Sequence, residues 1–226
     1  MNKRVIEEGK PLPDHTKLKY EECYAKLILE NYFPKVYSNL VLQDKPDLYS
    51  KQYDIGVEVI EAIPETIKEI EKLFYMMPYK KEAEAKSAQE RMAQLGVPYQ
   101  KYSITWPAIS YDNTVHSDAY QIVYNAINTK LQKLNSVDLY QQCISYSLFI
   151  ISYLFIKPEW HSDLADEFQK ISFEYNKKYD KIYLLAINDL IEVDIRNKHT
   201  KAYNIEKKQS DIAMSARKIV EDGEML

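Results

Sequence analysis

Two carboxylates in the segment KPDLYSKQYDIGVEVIEAIP, residues 45–64, are the groups whose types and spacing suggest chemistry. Pro46 stops regular structure from running into Asp47, and a strand-like run begins at Gly56. Between them, Tyr49 to Asp54 is polar enough to turn at a surface. Along a strand, side chains alternate between faces, so Glu58 and Ile60 share one face while Val57, Val59 and Glu61 share the other. Glu58 is thereby set among apolar neighbours. If Asp47 ends one strand of a hairpin and Glu58 sits on its partner, the two carboxylates converge. Such a pair is the usual protein share of a Mg²⁺ or Mn²⁺ site, with water and a substrate phosphate completing the oxygen shell.

The pattern resembles the PD-(D/E)XK nuclease superfamily, in which Pro-Asp marks one metal ligand and the next strand carries an acidic residue, any residue, then a lysine. Pro46-Asp47 matches the first half and Glu58-Val59 the start of the second. Ile60 stands where the lysine is expected, and isoleucine can neither orient water nor stabilise a phosphorane. The run Ile55 to Glu61 is closer to a divergent, uncharacterised bacterial and phage-type branch with the string Ile-Gly-Ile-Glu-Val-Thr-Glu. The match spans about twenty of the 226 residues.

The resemblance implies an α/β protein with a mixed central sheet flanked by helices, restriction-endonuclease-like. It also implies Mg²⁺ or Mn²⁺ held by Asp47 and Glu58, and DNA or RNA as partner. Such folds often open with a helix whose acidic residue reaches the metal, which points to Glu22 or its neighbour Glu21. Carboxylates at a helix start are also favoured by the helix dipole alone. Some members recruit a lysine or glutamine from a following helix when the strand lysine is missing, and Gln121, Lys130 and Lys133 are the residues placed to do so.

Several elements must position these groups. A helix is expected from about Thr16 to Phe33, ended by Pro34, and a strand from Val36 to Leu42 leading into Asp47. After Pro64, Ile67, Ile70, Leu73, Phe74 and Met77 form a helical apolar stripe, and residues 80–96 read as an exposed helix with a Glu82–Lys86 pair. Residues 65–96 thus form a helical excursion within a single domain spanning 1–226. Tyr99 to Tyr111 reads as an edge strand. The helix from Ser117 to Leu134 buries Ala119, Ile122, Val123, Ala126, Ile127, Leu131 and Leu134, and its other side shows Gln121, Lys130 and Lys133 among polar residues. Cys143 to Ile156 is too short for a bilayer-spanning helix and reads as a central strand. Beyond it come a helix to about Tyr175, strands at 181–188, 190–196 and 202–206, and a last helix over 210–220.

Composition narrows the alternatives. A net charge of −4 argues against a surface that attracts nucleic acid throughout, although local basic faces remain compatible with it. Two distant cysteines suit a reducing cytoplasm, and the N-terminus lacks an apolar run of the secretory kind. The four histidines lack zinc-site spacing, and no phosphate loop or nucleophile elbow is present. Three readings stay open: a metal-dependent phosphodiesterase, a catalytically degenerate nuclease-fold module that binds nucleic acid or protein, and a fold in which Asp47 is a turn residue and Glu58 a satisfied buried acid. No membrane partner is expected, and the oligomeric state stays open, a homodimer included.

Overall fold

Successive apolar residues of a strand face opposite ways, so the central strands contribute to two cores, and their sheet must be covered on both faces. The computed structural model describes residues 12, 16–97, 118–136, 140–152 and 161–223. Its elements are α1 (Tyr20–Tyr32), α2 (Pro34–Tyr37), β1 (Val41–Leu42), β2 (Leu48–Ser50), β3 (Ile55–Ala62), α3 (Glu65–Met76) and α4 (Glu82–Gln94). There follow α5 (Asp118–Ser136), β4 (Ser145–Ser152), α6 (His161–Ser172), β5 (Lys181–Ala186), β6 (Asp189–Asp194), β7 (His199–Asn204) and α7 (Glu206–Asp222). The expected α/β class with a mixed sheet flanked by helices is what the chain adopts.

The seven strands lie in sequence order, β1 to β7. β3, β4 and β5 are parallel, and the pairs on either side of them are antiparallel. Parallel strands need crossovers, supplied by α3, α4 and α5 between β3 and β4 and by α6 between β4 and β5. Leu148, Ile150, Ile182 and Leu184 face one core with Val123, Ile127 and Leu131 of α5 and Phe168 of α6. Val57, Phe149, Tyr183 and Leu185 face the other, with Ile28 and Leu29 of α1 and Ile212 and Ile219 of α7. No helix among the described residues is long and apolar enough to cross a membrane.

Some local expectations are corrected. The segment Val36 to Leu42 is a strand only at 41–42. Pro34 at the first helical turn starts the short α2 instead, with the Val36 and Tyr37 amides donating to the Phe33 carbonyl. The final helix begins at Glu206, four residues earlier than expected, just after the buried Ile205. The α4 helix is not wholly exposed: Ala88 and Met92 are buried against Ile67, Ile70 and Phe74. No ion pair joins Glu82 to Lys86 among the described residues; the pair made on this helix links Arg91 to Glu69 of α3 at 2.7 Å. The strand expected at Tyr99 to Tyr111 lies outside the described residues.

Gly56 sets how closely the loop carrying Asp47 approaches β3. A Cβ there would lie 2.8 Å from Pro46 Cγ, 3.1 Å from Tyr146 Cδ1 and 3.2 Å from Cys143 Sγ, so any side chain must push the Pro46 loop away. Gly56→Ala is therefore expected to lower stability by about 1–3 kcal/mol, the usual cost of overpacking. Urea melts check this, and a loss near zero would show that the loop yields freely.

Candidate active site

Asp47 does not end a strand; it immediately precedes β2. The antiparallel register pairs Leu48 with Val57, which sets Asp47 beside Glu58 on the neighbouring strand. The loop bearing Asp47 is fixed from two sides. The Gln43 amide donates to the Asp47 carbonyl at 3.0 Å, and the Gln141 amide donates to the Lys45 carbonyl at 3.2 Å. Because β2 begins only at Leu48, the next amide along β3, that of Val59, has no strand partner on this side. It donates instead to Asp47 Oδ2 at 2.7 Å, so the side chain substitutes for a missing backbone acceptor.

Lys130 of α5 completes the arrangement. Its Nζ lies 2.6 Å from Glu58 Oε2 and 3.0 Å from Asp47 Oδ2. Side-chain exposure is 2% for Glu58, 11% for Lys130 and 14% for Asp47, so burial lessens from the carboxylate on β3 outward. Glu58 Oε1 is buried with no hydrogen-bond partner among the described residues. Two carboxylates share one ammonium, leaving the cluster with a formal charge of about −1 when all three ionise.

By residue type Lys130 belongs to the polar side of its helix, and the structure corrects this expectation. Lys130 is 9% exposed, between the buried Ile127 and Leu134 at spacings of three and four. That spacing puts it inside the apolar stripe, and the periodicity could have found it. Its aliphatic stem lies in the core while the ammonium meets the carboxylates. Gln121 is not brought to the site: it is exposed and donates to Asn125 Oδ1 at 3.0 Å. Nine residues along α5 separate it from Lys130, about 13.5 Å of helix. Lys133 is also exposed.

Glu22 of α1 lines a cavity of about 300 Å³ that Asp47, Lys130, Ile60, Glu61, Lys19 and Lys68 also border. Its Oε1 accepts from Lys19 at 2.6 Å. Glu22 is therefore near the pair without joining it, and no three acidic, histidine or cysteine side chains among the described residues gather as a ready metal cage. Glu21 borders the same cavity. Asp47 and Glu58 are a two-carboxylate set of the kind that fits a divalent ion: they share one cationic partner, and Glu58 Oε1 is buried without a hydrogen-bond partner among the described residues.

Two tyrosines near this cluster escaped notice in the sequence. The Tyr140 hydroxyl, a hydrogen-bond donor close to the Glu58 carboxyl, favours its ionised form, and the Tyr140 phenol is pushed up by burial and by Glu58. Tyr179 is buried, its hydroxyl has no hydrogen-bond partner among the described residues, and its phenol is pushed up by burial and then by Glu58. Neither residue sits in a motif, so only the fold brings them to Glu58.

Burial raises the Glu58 pKa above the ordinary carboxylate value; Lys130 opposes the shift and Asp47 adds to it. For Lys130, burial pulls the pKa down, but the combined attraction of Glu58 and Asp47 outweighs it and the net shift is upward. The signs follow. The folded state holds a proton on Glu58 more tightly than the unfolded chain does, so that contribution to stability fades as pH rises through the raised value. The Lys130 contribution is complete below the ordinary 10.5 and is lost as pH climbs through its raised value.

No protein-family model, curated protein or solved structure matches the chain.

Lys130→Met would leave two carboxylates side by side without their cation. A loss of about 3–5 kcal/mol is expected at neutral pH, as for other buried pairs cut on one side. The deficit relative to wild type should shrink as pH falls, because protonation relieves the repulsion. Urea melts at pH 7.5 and pH 5 measure both values, and a deficit that does not depend on pH would mean the loss is one of packing alone.

Proposed function

We propose that the chain is a metal-dependent phosphodiesterase of the PD-(D/E)XK kind acting on DNA or RNA, with Asp47 and Glu58 as ligands of Mg²⁺ or Mn²⁺. The observation that carries this reading is the position of Lys130, whose ammonium meets both carboxylates and supplies from a helix the charge that Ile60 does not provide. A restriction-endonuclease-like fold is part of the same reading.

A divalent ion held there would supply Lewis acidity and an activated water. The chain's own groups do the remaining work. Asp47 is oriented by the Val59 amide, and Glu58 is fixed on a strand that pairs on both sides. Lys130, largely shielded from water, offers positive charge to a phosphate oxygen as negative charge develops there. Lys19 and Lys68 border the cavity and add positive charge at its wall, each beside a carboxylate.

The test is Mn²⁺-dependent cleavage of single- and double-stranded DNA and RNA oligonucleotides. Asp47→Ala and Glu58→Ala are expected to abolish cleavage, and Lys130→Ala to lower it by about 10²–10³-fold, as for loss of one charge-stabilising donor. Gln121→Ala and Lys133→Ala should leave it unchanged. Cleavage that survives both carboxylate substitutions would place the activity elsewhere. Ile60 favours a second reading, a nuclease-fold module that binds without cutting. Nucleic-acid binding by a wild-type protein that cleaves nothing would support it.

A further inference from the structure

The lysines bordering the cavity are each engaged with carboxylates. Lys19 pairs with Glu22 at 2.6 Å, Lys68 with Glu61 at 2.9 Å, and Lys130 with Glu58 and Asp47 at 2.6 and 3.0 Å. Lys68 also reaches Glu65 at 3.7 Å, but Lys130 differs from the other two in donating hydrogen bonds to two acids while only 11% exposed, against 71% for Lys19 and 33% for Lys68. Glu58 Oε1 remains buried and without a hydrogen-bond partner among the described residues, so the ammonium answers only part of the acid's demand for positive charge.

We propose that Lys130 is a tethered stand-in for the metal, holding the position shared by Asp47 and Glu58 when no ion is bound and swinging toward the cavity when a divalent cation takes it. The proposal rests on the reading of Asp47 and Glu58 as divalent-ion ligands. Its physical basis is charge and tethering. Replacing the ammonium by Na⁺ or K⁺ leaves the charge at the carboxylates unchanged and forfeits two charge-assisted hydrogen bonds. A divalent ion doubles the charge facing the same two acids, and it can also serve Oε1. Lys130 therefore selects against monovalent ions. The displaced ammonium has a polar destination, because Lys130 already borders the cavity that Glu22 and Glu61 line. Once there, it is free to meet a phosphate oxygen.

The consequence is that Lys130 competes with the ion it later assists. Mn²⁺ binding, read by the electron paramagnetic resonance signal of the free ion, should be about tenfold tighter in Lys130→Met than in wild type. Binding to the wild type should not respond to exchanging Na⁺ for K⁺ at constant ionic strength. A second measurement needs no variant: reductive methylation of wild-type Lys130, followed by mass spectrometry, should be faster with saturating Mn²⁺ than without.

Equal or weaker binding by Lys130→Met, with wild type still binding Mn²⁺, would overturn the stand-in role and leave the phosphodiesterase reading intact. Binding by Lys130→Met alone would overturn it, because a lysine that never yields to the ion is a block rather than a stand-in, and the metal-dependent reading of the wild type would fail with it. If neither protein binds Mn²⁺, both the stand-in role and the metal-dependent reading fail. Should the variant not fold, methylation decides: acceleration by Mn²⁺ supports the proposal, and an unchanged rate with Mn²⁺ bound overturns it.

Discussion

The ion cluster of Asp47, Glu58 and Lys130 is the constraint that the surrounding structure must satisfy. A buried charge is tolerated only when partners replace its lost hydration, and here the partners come from three separate elements. The first requirement falls on α5, which must cross β3 with Lys130 over Glu58. The second falls on the loop before β2, which must end its irregular path at Asp47. The third falls on β3, whose Val59 amide must remain available to the Asp47 side chain. A small shift in any one of them would leave a charge inside the protein without its partner.

The sheet meets these requirements through unequal coverage of β3. On one side, the eight residues from Ile55 to Ala62 pair in parallel with β4 along their whole length. On the other, β2 covers only Ile55 to Val57. The uncovered edge beyond Asp47 opens onto the cavity, with Val59, Ile60 and Glu61 along it. The same strand thus gives Glu58 a backbone paired to β4 on one side and an accessible flank on the other. Rigidity and access conflict in most parts of a fold. They coexist here because Asp47 takes over one backbone hydrogen bond at the point where the neighbouring strand stops.

The local pattern was readable in advance where physics acts over short stretches of chain. Period-two alternation identified β3 and the inward-facing Glu58, and the 3.6-residue period identified α5 and its apolar stripe. The pattern misleads where one residue plays two parts. Lys130 is polar by type, which points to the solvent side, although its spacing from Ile127 and Leu134 places it in the core stripe. Val36 to Leu42 is apolar and β-branched enough for a strand, yet Pro34 begins a helical turn that runs to Tyr37. The position of Tyr140 and Tyr179 beside Glu58 could not be read at all, because it depends on how distant elements stack and leaves no periodic trace.

A lysine reaching the site from a helix is not equivalent to one carried by the strand. A lysine at position 60 would stand two residues from Glu58 on the same face, about 6.6–6.8 Å along one strand, and its place would follow from β3 alone. Lys130 arrives from the adjacent layer, so its place depends on how Val123, Ile127 and Leu131 seat α5 on the sheet. Ile60 has a part in that seating, for it packs at the margin of the same core and borders the cavity beside Lys130. A lysine at 60 in addition to Lys130 would give two ammonium groups for two carboxylates, a balance the chain would meet by itself. With isoleucine there, the cluster stays one positive charge short. That shortfall, set in a place of low exposure, is the electrostatic feature on which the proposed divalent-ion site rests.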